Sequence, residues 1–130
     1  MSNQRKSLGS GLESRVVQKL AKAGIPSKKQ PLSGILKDYK GDVIIPEIAL
    51  LECKVRSTQI DAKGAEFFRV DTRHLSKIRE EAKQMGVPMG ILVFNVKGSS
   101  KPLVVLDFDE YVNLLISKDT YNGTSSNIPE

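Results

Sequence analysis

Gly41-Asp42-Val43-Ile44-Ile45-Pro46-Glu47-Ile48-Ala49-Leu50-Leu51-Glu52-Cys53-Lys54 sets two short apolar runs back to back, with acids at their ends. Val43 to Ile45 and Ile48 to Val55 are rich in β-branched and aliphatic residues, and Pro46 marks a turn between them. They read as the two strands of a hairpin. Successive side chains in a strand point to opposite faces, so Glu52 and Lys54 share one face and Cys53 is buried behind them. A charged pair ending an apolar strand needs a partner or a cation, because an unpaired buried carboxylate is costly. Asp42 and Glu52 offer hard oxygen ligands, and Lys54 would lie within reach of a water attacking a phosphodiester. The plain alternative is a surface hairpin whose charges are merely solvated.

Working outward, Ser10 would cap a helix with Glu13 in the capping-box position three residues on. Leu12, Val16, Val17, Leu20 and Ala23 follow at helical spacing, and Gly24 stops the run. Ile25 to Gln30 is a weak first strand interrupted by Pro26, and Pro31 to Gly41 reads as a loop. Residues 57–70 form a polar linker. Asp71 or Thr72 caps a second helix whose Leu75, Ile78, Ala82 and Met85 share a face, ended by Gly86. Val87 to Val96 and Leu103 to Phe108 are further strands, followed by a short helix from Asp109 to Ile116. This order predicts a mixed sheet with helices packed on it, an α/β or α+β sandwich with the Asp42, Glu52 and Lys54 set near one sheet edge. The expected organisation is a flexible basic arm over residues 1–9, one domain over 10–117, and a disordered tail over 118–130.

The 130 residues carry a net charge of +5, with 39% hydrophobic and 27% charged residues, an ordinary globular balance. No apolar run approaches the roughly 20 residues that span a bilayer, and MSNQRKS at the start does not resemble a secretory signal. Cys53 is the only cysteine, so an internal disulfide is impossible and an intracellular, cytoplasmic setting is expected. Between Met1 and Gln30 seven basic residues stand against the single acid Glu13, a balance that suits a polyanionic partner and a solvated helix face with a basic tail equally well.

The order and spacing of these residues resemble the PD-(D/E)xK nuclease superfamily, and within it the small Holliday junction resolvases of archaeal and phage type. The matching segments are Gly9-Ser10-Gly11-Leu12-Glu13 opening a helix, Leu32-Ser33-Gly34 in the following loop, Gly41-Asp42, and Glu52-Cys53-Lys54 with Arg56 after it. The likeness runs from residue 8 to about 108. The position before Asp42 is glycine where the family often has proline. The resemblance implies a restriction-endonuclease-like fold: a mixed central sheet of about five strands flanked by helices. It further implies one or two Mg²⁺ ions held by Asp42, Glu52 and the Cys53 carbonyl, with Mn²⁺ able to substitute, and Glu13 reaching the same site either as a ligand through water or by orienting Lys54. Lys54 would position or deprotonate the attacking water, and Ser33 would lie near the scissile phosphate. Products would carry a 5′-phosphate and a 3′-hydroxyl, and the host would be a prokaryote or a phage-infected cell.

Each assignment has a simpler counterpart. Glu13 also fits a capping box, and Ser33 also fits a turn. Cys53 is better read as a small core residue than as a nucleophile. His74, beside Arg73 at a helix start, suits a phosphate contact or a solvent-facing cap better than a metal. Arg5, Lys6, Arg56, Arg69 and Arg73 are candidates for DNA backbone contacts, which carry affinity without reading sequence. A four-way junction needs paired cuts, so a homodimer is expected, with some of Leu75, Ile78, Ile91, Val93, Leu103 and Val105 available for its surface. The rival functions are a nicking or repair nuclease acting on duplex or flap DNA, and a DNA-binding module without catalysis.

Overall fold

The structure, a computed structural model, describes residues 2–31 and 41–126, and side chains within 11–31 and 41–117. Helix α1 (Ser2–Lys22) is followed by β1 (Lys28–Lys29), β2 (Val43–Ile45) and β3 (Ala49–Arg56). A short ribbon, β4 (Gln59–Ile60) and β5 (Glu66–Phe67), precedes α2 (Thr72–Gln84). The chain then forms β6 (Met89–Val96), β7 (Leu103–Val105) and α3 (Phe108–Ser126). The main sheet has five strands in the order β1-β2-β3-β6-β7. Only β3 and β6 are parallel, in register from Ala49↔Met89 to Arg56↔Val96, and the other neighbours are antiparallel. The mixed sheet flanked by helices is the expected architecture.

The parallel pair explains the layering. A parallel connection requires a crossover, and α2 supplies it between β3 and β6. Both central strands are then covered on both faces. On one face Leu12 and Val16 of α1 pack with Val43, Ile45, Leu51, Cys53, Met89 and Val93. On the other, Ile78 and Ala82 of α2 pack with Leu50, Val87, Leu92 and Phe94. Alternation along β3 is visible in the split, with Leu50 on the α2 face and Leu51 and Cys53 on the α1 face. Ile78 and Val93 are therefore core residues, and Leu75, Ile91 and Val105 pack against that core. Of the positions expected to serve a dimer surface, only Leu103 is an exposed large apolar side chain.

Several boundaries differ from the sequence reading. Helix α1 starts at Ser2 and takes in the rest of the expected basic arm, so Ser10 lies inside it and caps nothing. Gln4, Arg5, Lys6 and Leu8 are good helix formers, and Gly9 and Gly11 cost about 1 kcal/mol each without ending the helix. Only Lys28 and Lys29 of the expected first strand pair, with Ile44 and Val43. The polar linker contains the β4–β5 ribbon, turned by Asp61, whose Oδ1 accepts from the Lys63 and Ala65 amides. Beyond β7, Asp107 accepts from the Asp109 amide at 2.9 Å and opens α3, which runs to Ser126 instead of stopping near Ile116. No described helix is long and apolar enough to cross a membrane.

Gly90 sets how closely α2 approaches the sheet. A Cβ there would lie 2.7 Å from the Arg79 Cα and closer still to the Ile78 carbonyl. Backbone cannot yield as a flexible side chain does, so Gly90→Ala is expected to cost about 1–3 kcal/mol. Urea unfolding checks this, and an unchanged midpoint would show that α2 can move aside freely.

Candidate active site

The site forms along the part of β3 that outruns β2. Val43 is the outermost β2 residue to pair, opposite Leu51, so among the described residues Glu52 to Arg56 pair only with β6. Gly41 turns the chain away with φ of +70°, a conformation that L side chains adopt at a cost. A Cβ at Gly41 would also lie 2.6 Å from Leu50 Cγ. Asp42 is thereby held beside the open edge of β3. Its amide donates to the Leu51 carbonyl, its carbonyl accepts from the Gln30 amide, and its Oδ2 accepts from the Cys53 amide, each at 2.8 Å. The carboxylate thus gives the Cys53 amide the acceptor that no described strand supplies.

Glu52 and Lys54 point to the α2 face, where they line a cleft of about 90 Å³ with His74, Lys77, Ile78 and Glu81. The Lys54 Nζ is 3.6 Å from Glu52 Oε2, and both side chains are mostly covered. Glu13 approaches from the other layer. It sits mid-helix on α1, next to the core residue Leu12, and is half-buried. Its mid-helix position removes the capping-box alternative.

Electrostatics tie these groups together. Burial, and then the neighbouring Asp42 charge, push the Glu13 carboxyl up to about 7, with Lys29 opposing. Burial also raises Asp42, against the Cys53 amide, Lys54 and Lys77. Glu52 is raised by burial and then by Asp42, and Lys54 opposes. Three partly buried carboxylates thus crowd one strand edge, an arrangement that a cation would relieve. Among the described residues no three His, Cys, Asp or Glu side chains form a ready metal cage. Mg²⁺ commonly binds through one or two carboxylates and keeps several waters, so the all-oxygen donor set of Asp42, Glu52 and Glu13 fits it chemically.

The other expected residues divide. Cys53 is buried, and burial raises its thiol far above the usual range, so the sulfur is a core atom and not a nucleophile. Arg56 lies 5.7 Å from the Phe94 ring centre, on the face that carries Lys54. Arg69 is exposed. Arg73 is committed to its neighbour, its guanidinium 2.7 Å from Asp71, the cap of α2. The side chains of Arg5 and Lys6, and all of Ser33, lie outside the described residues. Sequence reasoning overlooks Lys77 and Glu81. With His74 and Ile78 they recur at i, i+3, i+4 and i+7, a helical stripe that is legible around Ile78.

No family model, curated protein or solved structure matches the chain.

The Glu13 shift has a defined sign. A carboxyl raised from 4.5 to about 7 in the folded state costs stability as pH rises through that window, because the unfolded chain ionises first. Glu13→Gln is therefore expected to raise the melting temperature of metal-free protein near pH 8 and to change it little near pH 4. Thermal melts at the two pH values check this, and equal shifts at both would show that Glu13 is not crowded by the other carboxylates.

Proposed function

We propose that the chain is a Mg²⁺-dependent, structure-selective DNA endonuclease of the PD-(D/E)xK type that resolves four-way junctions. The observation that most supports this is the gathering of Asp42, Glu52 and Lys54, with Glu13, around the open edge of β3. Asp42 and Glu52 would hold the metal, together with the Cys53 carbonyl and with Glu13 directly or through water. Bound there, Mg²⁺ supplies Lewis-acid polarisation of the phosphate and lowers the pKa of water. Glu52 directs the Lys54 ammonium, which positions the attacking water and offsets charge as the phosphodiester becomes pentacoordinate. The P–O3′ bond breaks, leaving a 5′-phosphate and a 3′-hydroxyl.

Arg56 and Arg69 supply cations for backbone phosphates, contacts that give affinity without reading sequence. That suits selection by branched shape, and two copies would deliver the paired cuts. The setting proposed is the cytoplasm of a prokaryotic or phage-infected cell.

Cleavage of a labelled four-way junction beside matched linear duplex, with Mg²⁺ or EDTA, tests this. Paired cuts in the junction alone, lost with EDTA, are expected. Lys54→Ala is expected to slow cleavage by about 10² or more while junction binding persists. Cutting of both substrates would favour a general nuclease, and binding without any cut would leave a DNA-binding module.

A further inference from the structure

Helix α2 crosses the face of β3 that carries Glu52 and Lys54, and it adds His74, Lys77, Ile78 and Glu81 to their cleft. Its position there is fixed from below. Ile78 is buried, and Gly90 lies so close to the Ile78 carbonyl that a Cβ would not fit between them. Lys77, the residue before, therefore combines a backbone held against the sheet with a side chain left open to solvent. That side chain is 73% exposed, against 21% for Lys54 and 19% for Glu81. Lys77 stands at the mouth of the cleft, whereas Lys54 and Glu81 lie within it.

The charges give Lys77 a role. Lys54 is 3.6 Å from Glu52, so the inner ammonium is already engaged by a carboxylate. Glu81 adds a second carboxylate, and Asp42 a third at the strand edge. Without Lys77 these three acids would face one ammonium, and a phosphodiester would meet a net negative wall. Burial raises both Asp42 and Glu52, and the Lys77 charge is among those that oppose the rise in each, so its field reaches both carboxylates. His74, one turn earlier, is held below its usual pKa by burial and then by Lys54, so it adds little positive charge near neutral pH. Lys77 is thus the cation that α2 brings to the cleft. Its link to Glu81 is an i,i+4 pair at 4.0 Å with the lysine exposed, a weak tie that leaves the ammonium able to turn toward an incoming anion.

We propose that Lys77 holds a backbone phosphate of the strand to be cut, at the mouth of the cleft, while Lys54 acts on the water inside it. The identity of that strand rests on the endonuclease reading, whereas the contact itself needs only DNA binding. The two lysines would then divide the work, one giving affinity and the other giving rate. A lysine suits the first part, since an ammonium meets a phosphate as a point charge and reads no base.

Junction binding followed by fluorescence anisotropy, in EDTA over a series of salt concentrations, tests this. Each phosphate contact contributes about 0.9 to the slope of log affinity against log salt on duplex DNA. Lys77→Ala is therefore expected to weaken binding about tenfold and to flatten that slope by about one, and Lys77→Arg to restore both. Lys83 is exposed and, at about 100° per residue, lies on the opposite side of α2 from the cleft. Lys83→Ala removes the same charge there and is expected to keep the wild-type slope. With Mg²⁺, the loss in Lys77→Ala should fall mainly on KM, and the loss in Lys54→Ala on kcat. An unchanged slope in Lys77→Ala, or an equal change in Lys83→Ala, would overturn the contact. A wild type that binds the junction without cutting it would overturn the endonuclease reading instead, with the Lys77→Ala slope still deciding the contact. A wild type with no affinity for DNA would overturn both.

Discussion

Parallel pairing of β3 with β6 is the constraint on which the rest of the structure depends. Two parallel strands cannot be joined by a tight turn, so α2 must cross over, and the pair must then be covered on both faces. Helix α2 covers one face closely because Gly90 leaves room for its backbone. Helix α1 covers the other through Leu12 and Val16. The outer strands are short, and their shortness matters as much as the length of the central two.

Because β2 begins to pair only at Val43, the second half of β3 keeps an edge without a described strand partner inside an otherwise packed layer. That edge is where the carboxylates collect. Each of Asp42, Glu52 and Glu13 is disfavoured as an anion by burial, and Asp42 and Glu52 reinforce the effect on Glu13. A fold arranged for stability alone would not bring three acids to one edge. Such local conflict is characteristic of functional sites, where the surrounding packing holds an unfavourable arrangement in place.

The hairpin and the shared face of Glu52 and Lys54 are legible in the sequence because alternation has a strict period and both runs are rich in β-branched and aliphatic residues. So is the start of α2, although the sequence leaves its cap open between Asp71 and Thr72 and the structure gives it to Asp71. The ends of α1 and α3 are not, since serine, glycine and polar residues weaken a helical pattern without stopping the helix. The ribbon at Gln59 and Phe67 stays hidden because two-residue strands are too short to show a period. Lys77 and Glu81 escape notice because their place beside Glu52 depends on α2 lying across β3, a contact between distant segments that no local pattern encodes. The engagement of Arg73 with Asp71 is equally hidden, although the two are close neighbours in the chain.

The hydrogen bond from the Cys53 amide to Asp42 also bears on solubility. An exposed row of unpaired strand amides invites another strand to add to it, a common route to aggregation. Here a carboxylate occupies that position and puts negative charge along the edge. The same side chain therefore satisfies a strand amide that has no described strand partner. Removing it altogether would take away the acceptor of the Cys53 amide, whereas an asparagine would keep an oxygen to receive it.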